Sequence, residues 1–209
     1  MERKTVILAT RNQGKVRELR TLLYEFGFDV QALPEDFPDI EETGATFEEN
    51  ALLKAHAVAD MLGMPALADD SGLEVDALNG APGVFSARYG NDIALLPGES
   101  KDERNNRKLL DRMEHVPDER RGARFRCCMA FVCPGEDDMV ACGSWEGSIA
   151  RTPSGSNGFG YDPLFFDPEL SMTGAEMTRE QKTARSHRGK AVRSLLVRLA
   201  ERMEHAEAE

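Results

Sequence analysis

Polar and apolar positions along this chain follow two patterns: short unbroken apolar runs, and longer stretches with a helical repeat. Val6-Ile7-Leu8-Ala9 is a run of the first kind, and it predicts a central strand over residues 5–9. The polar stretch Thr10-Arg11-Asn12-Gln13-Gly14-Lys15 comes next. Val16, Leu19, Leu22, Leu23 and Phe26 then recur at the spacing of one helix face, which Gly27 closes. Residues 28–33 predict a second strand, 34–38 a loop and 39–44 an acidic turn. Thr46 and Glu49 have capping-box spacing, and Phe47, Ala51, Ala55, Val58, Ala59 and Leu62 continue a helix that stops at Gly63, before Pro65.

Residues 67–76 read as a buried strand ending in Asp69 and Asp70, followed by Ser71, a turn at Gly72 and a second short strand. Successive side chains on extended backbone point to opposite faces. The two carboxylates therefore have different surroundings, one facing a site and the other its structural partners. A carboxylate at a strand end suits a Mg²⁺ ligand or a general base. The same residues also suit a polar turn that satisfies its own backbone donors.

Further on, the Gly and Pro content of residues 78–89 predicts an ordered loop, and residues 91–103 read as a surface segment. A helix through Leu109, Leu110 and Met113 closes near Pro117. Residues 125–133 and 139–149 predict two long antiparallel strands around the turn 134–138, with Trp145 as a packing aromatic. The glycine-rich stretch 153–163 is too broken for a strand. Its Phe159 and Tyr161 fit either a flat wall for a nucleobase, worth about 1–3 kcal/mol per stacked base, or a turn with core aromatics. A short strand at 164–166 and helices at 177–184 and 190–203 complete the pattern, the helices joined by Ser186-His187-Arg188-Gly189.

Composition narrows the class. With 41% hydrophobic and 30% charged residues among 209, this is a folded chain long enough for a sizeable core, as one large domain or two lobes. The formal net charge of -11 argues against a nucleic-acid binder, which needs a basic surface. A small anion needs only a local cluster, and Lys182, Arg185, His187, Arg188 and Lys190 form one in sequence. The first apolar run is too short for a signal peptide or membrane span. Cys127, Cys128, Cys133 and Cys142 lack zinc-site spacing and read as free buried thiols rather than disulfides, which points to the cytoplasm.

Strand, polar loop and helix in succession offer backbone N–H groups and a positive helix end to an anion, with Lys15, Thr10 and Asn12 adding donors. The Walker A spacing is absent, and a plain capped helix start explains the same residues. Most acids near residue 46 complement a helix start; Glu41 lies outside that explanation.

In order along the chain stand Ala9-Thr10-x-Asn12-x-x-Lys15, Glu41-x-x-Gly44, Phe47-x-x-Asn50-Ala51, Asp69-Asp70-Ser71-Gly72-Leu73, Gly80-Ala81-Pro82-Gly83-Val84-x-Ser86-Ala87-Arg88, Gly158-Phe159-Gly160-Tyr161-Asp162-Pro163 and Ser186-His187-Arg188-Gly189. Together, over residues 6–199, they resemble the inosine triphosphate pyrophosphatase family, which includes the bacterial dITP/XTP pyrophosphatases. The resemblance implies an α/β fold with a long twisted mixed β-sheet and flanking helices, with two lobes around a central nucleotide-binding cleft. It implies one domain over residues 1–209, assembled as a homodimer. The implied reaction is Mg²⁺-dependent hydrolysis of XTP, ITP and dITP to the monophosphate and pyrophosphate, with no nucleic-acid or membrane partner.

Within that resemblance Asp70 is the proton acceptor and, with Glu41, the Mg²⁺ ligand. Thr10, Arg11, Asn12, Gln13, Gly14 and Lys15 hold the triphosphate, and Ser71 donates to the nucleotide or orients Asp70. Phe159, Gly160, Tyr161, Asp162 and Lys182 serve the base and sugar, and His187 and Arg188 a 6-keto purine. Asp69 supports the site, and Lys54 faces either the phosphates or solvent. Arg11 departs from the glycine common there. The rival readings are a nucleotide-binding module without turnover and a pyrophosphatase of the related septum-inhibition family acting on modified pyrimidines.

Overall fold

The computed structural model describes residues 4–25 and 27–207, without the side chains of Gln13, Glu18, Thr21, Leu22, Glu25 and 203–207. The helix-face positions expected for the Leu22 side chain and for Phe26 lie outside the described residues.

Strands β1 (Lys4–Leu8), β2 (Phe28–Ala32), β3 (Ala66–Val75), β4 (Gly122–Val132), β5 (Met139–Ile149), β6 (Phe165–Asp167) and β7 (Met172–Thr173) form one sheet in the order β2-β1-β3-β4-β5-β6-β7. β1 runs parallel to β2 and β3, while β6 is antiparallel to β5 and β7, so the open sheet is mixed. Helices α1 (Gln13–Glu25), α2 (Phe47–Leu62), α3 (Lys101–Met113), α4 (Arg179–Arg185) and α5 (His187–Glu207) flank it. Among the described residues no helix is long and apolar enough to cross a membrane.

The chain divides into two compact units, with the first boundary inside β3, between Asp70 and Ser71. The first unit holds β1, β2, α1, α2, residues 127–143 and α5. Its strands alternate strictly. Val6 and Leu8 pack with Val16, Leu19 and Leu23 of α1 and with Val192, Leu195 and Leu199 of α5. Ile7 and Ala9 pack with Ala51, Ala55 and Val58 of α2. Burial on both faces is why β1 reads as an unbroken apolar run. α2 has the expected capping box at Thr46 and Glu49, and Gly63 closes it with φ +64°.

The second unit holds residues 71–126 and 144–186. Its core is aromatic: Phe165 lies 4.6 Å from Phe125 and 4.7 Å from Trp145 between ring centroids.

Four expectations are corrected. β3 runs unbroken through Asp69, Asp70, Ser71 and Gly72, because these polar groups find partners on other elements rather than in a local turn. α3 begins at Lys101, inside the expected surface segment, where Ser100 and Glu103 form a second capping box. His187, Arg188 and Gly189 belong to α5 instead of linking two helices. Finally, Cys128 and Cys142 are joined as a disulfide that leaves out Cys127 and Cys133. β4 and β5 are neighbours folded about residues 133–138, so positions on either side of that turn face each other, with Cα atoms 4.1 Å apart.

Candidate active site

The alternation of β3 separates its two aspartates. Asp69 follows Leu67 onto the face covered by α1 and α5, and Asp70 follows Ala66 and Ala68 onto the face covered by α2. Asp69 is fully buried, with Lys15 Nζ 2.9 Å and Arg188 Nε 3.4 Å from its Oδ2. Burial pushes its pKa up, but Lys15, Arg188 and Lys54 outweigh burial and hold the carboxyl well below the usual range.

Asp70, 6% exposed, accepts from Asn50 Nδ2 and from Lys54 Nζ, each at 3.2 Å. Its pKa is raised: burial leads, Lys54 and Lys15 oppose it, and the Glu42 carboxylate adds to it. Lys54 also donates to Glu42 Oε1 at 2.7 Å and to the Asp69 carbonyl at 2.8 Å. Burial lowers the Lys54 pKa, yet Asp70, Asp69 and Glu42 reverse the sign and raise it. The choice left open for Lys54 is therefore resolved: it is a buried member of this cluster, not a solvent-exposed helix lysine.

Asn50, fully buried, accepts the Gly44 N–H at 2.8 Å through its carbonyl oxygen. A Cβ on Gly44 would stand 2.7 Å from that oxygen, so this loop position needs glycine. Glu42 and Asn50 had no assigned role in the sequence. The available signal was that Asn50 and Lys54 share a helical face with Phe47, Ala51, Ala55 and Val58, where burial forces them to find partners. Glu41 is exposed, one residue from the Glu42 that contacts Lys54.

At the start of α1, Asn12 Oδ1 accepts the N–H groups of Gly14 at 2.9 Å and Lys15 at 3.2 Å, and Thr10 Oγ1 accepts that of Asn12 at 3.2 Å. Capping thus uses some of the backbone donors expected for an anion. The first turn still carries no acidic residue to balance its positive end. The Arg11 guanidinium binds Asp39 and the Phe37 carbonyl. Gln13 opens α1, and its side chain is outside the described set. Ser71 is half-buried on β3.

In the second unit the glycine-rich loop separates its aromatics. Tyr161 is a core residue whose hydroxyl donates to the Ser86 carbonyl at 2.8 Å, and burial drives its pKa up. Phe159 is half-buried, with Lys182 Nζ 5.2 Å from its ring centroid. Buried Asp162 pairs with Lys182 and accepts the Phe159 N–H at 2.8 Å.

Three cations of the basic run at 182–190 have separate carboxylates. Lys182 has Asp162, Arg185 has Asp167 and Glu169, and Arg188 has Asp69. His187 is buried at the start of α5.

An open mixed α/β sheet bearing a buried carboxylate pair, with lysines from two helices set against it, is the frame of the candidate site. The chain belongs to the Ham1 family, whose sequence model matches residues 6–198. It is 58% identical over 199 residues to the dITP/XTP pyrophosphatase of Nitratidesulfovibrio vulgaris, covering 94% of this chain and 96% of that protein. It is 52% identical over 194 residues to the dITP/XTP pyrophosphatase of Escherichia coli K12, covering 91% and 95%. The solved structure of the Staphylococcus aureus Ham1 protein superposes with a TM-score of 0.82 at 42% identity, covering 95% of this chain and 100% of that one.

Proposed function

We propose that this chain hydrolyses the non-standard purine nucleotides XTP, ITP and dITP to the monophosphate and pyrophosphate, keeping them out of DNA and RNA. The observation that carries the reading is the division of labour on β3. Asp69 is locked as an anion by its cations, while Asp70 is raised by burial and held by Asn50 and Lys54. A carboxylate with a raised pKa is a stronger base than an ordinary one, and Asp70 takes the proton of the water that attacks the α-phosphorus. Lys54 keeps Asp70 turned toward that water. Thr10, Arg11, Asn12, Gln13, Gly14 and Lys15 hold the triphosphate, and Ser71 donates to the nucleotide.

The reaction is assigned Mg²⁺. This ion commonly takes one or two carboxylates and completes its shell with phosphate oxygens and water. It therefore does not require a cluster of three or more His, Cys, Asp or Glu, and none occurs among the described residues. The donor set fits, since the carboxylates of Asp70 and Glu42 meet at Lys54 Nζ, 3.2 and 2.7 Å from it, and carboxylate oxygens are the ligands this ion prefers. Asp70 and Glu41 would hold the ion. When bound, it offsets charge on the phosphate oxygens.

In the second unit Phe159 stacks on the base, with Gly160, Asp162 and Lys182 around it and Tyr161 supporting the loop from the core. His187 and Arg188 read the 6-keto group. An arginine donates and never accepts, so it matches O6 and meets the adenine amino group donor to donor. The reading places the enzyme in the cytoplasm as a homodimer; the family resemblance supports the homodimer, while the Cys128–Cys142 disulfide removes the free-thiol argument for the cytoplasm. Hydrolysis of ITP in ¹⁸O-water tests the chemistry. Label in the monophosphate is expected; label in pyrophosphate or in free phosphate would refute attack at the α-phosphorus.

A further inference from the structure

Asp102 and Asn106, one turn apart on α3, grip a single residue of the glycine-rich loop through both of its backbone polar groups. The Gly160 N–H donates to Asp102 Oδ2 at 2.8 Å, and Asn106 Nδ2 donates to the Gly160 carbonyl at 2.9 Å. The i, i+4 spacing puts both side chains on one helix face, the first an acceptor and the second supplying the donor. α3 has supports besides this contact. Its start is closed by the Ser100–Glu103 capping box, and Leu109 and Met113 anchor it in the core.

The loop needs this contact. Gly158 and Gly160 have φ of +77° and +63°, in the region where glycine has the most freedom to leave. The second anchor is Asp162, which accepts the Phe159 N–H. A Cβ on Gly158 would come within 2.1 Å of Asp162 Oδ2, so the loop is drawn tightly over that carboxylate. Phe159 is thus fixed at its own N–H by Asp162 and, one residue later, by α3.

We propose that Asp102 and Asn106 are positioning residues that preset Phe159 as the stacking platform for the purine base. The inference rests on the base-binding role given to Phe159 above. A platform ordered before the ligand arrives lowers the ordering cost of binding, so the effect belongs in KM and not in kcat.

Steady-state pyrophosphate release from ITP by the full chain tests it. D102A and N106A are expected to raise KM about three- to tenfold, the scale of one lost hydrogen bond, with kcat unchanged. D102N keeps an acceptor oxygen and reverses most of the rise in KM seen in D102A. F159A also raises KM, and adding N106A to it changes KM no further, since coupled residues are not additive. An N106A effect of equal size with and without Phe159 would overturn the inference and leave the base-binding role standing. An unchanged KM in F159A would overturn both. D102N as impaired as D102A would overturn the inference too, because charge rather than the hydrogen bond would then be acting.

Discussion

Asn50 and Asp70 are 20 residues apart in sequence and joined by one 3.2 Å hydrogen bond, with the far side of the Asn50 amide pinned by the Gly44 N–H. This fixes which end of the amide faces Asp70 and ties the acidic loop to the proposed base. Asn50→Leu leaves the Gly44 N–H and Asp70 Oδ2 without that partner in a buried setting. It is expected to cost about 1–3 kcal/mol of stability and to lower kcat more than it raises KM. Urea unfolding and steady-state kinetics on the same preparation check both.

Lys54 has three carboxylate or carbonyl partners, Glu42, Asp70 and the Asp69 backbone. Removing one member of a buried charge cluster leaves the others uncompensated, at a cost of about 3–5 kcal/mol. Lys54→Met should therefore unfold at markedly lower urea. A loss below 1 kcal/mol would mean that water reaches the cluster freely.

Acid stability depends on Asp69. A carboxyl whose folded-state pKa is depressed contributes stability that is present above its unfolded value, 3.8, and lost as pH falls toward the folded value. Asp70 has the opposite sign: its folded pKa lies above 3.8, so its ionisation opposes folding as pH rises through that raised value. Asp69→Asn is thus expected to be less stable at neutral pH and to lose less further stability below pH 3.8 than the parent. Denaturation midpoints measured from neutral to acid pH give the comparison.

The Cys128–Cys142 bridge predicts a mass-spectrometric result. Denatured without reductant, the chain should take alkyl groups only at Cys127 and Cys133, and after reduction at all four cysteines. Alkylation of Cys128 before reduction would contradict the pairing.

Local chemistry was readable in the sequence, and tertiary chemistry much less so. The helix from Phe47 was legible because its cap, Thr46 with Glu49, lies within four residues. β1 was legible because burial on both faces leaves an unbroken apolar run. β3 was misread at Gly72 because Asp-Asp-Ser-Gly has the composition of a turn. What keeps it extended is a set of partners on other elements, Lys15 and Arg188 on one face and Asn50 and Lys54 on the other. The opposite fates of Asp69 and Asp70 did follow from strand alternation alone. Their partners did not, since pattern does not reveal which side chain crosses to which strand. The same limit hid the grip of α3 on Gly160 and the separate carboxylates of three of the 182–190 cations.

The central claim is that Asp70 serves as the base of a pyrophosphatase selective for the non-standard purine nucleotides. Its most direct test is pyrophosphate release from ITP, XTP, dITP, GTP, ATP and dTTP by the parent chain and Asp70→Asn, with Mg²⁺ and with chelator. The account predicts fast, metal-dependent release from ITP, XTP and dITP, little from the others, and loss of turnover in Asp70→Asn with ITP binding retained. Undiminished turnover in Asp70→Asn, or equal release from ATP and ITP, would contradict it.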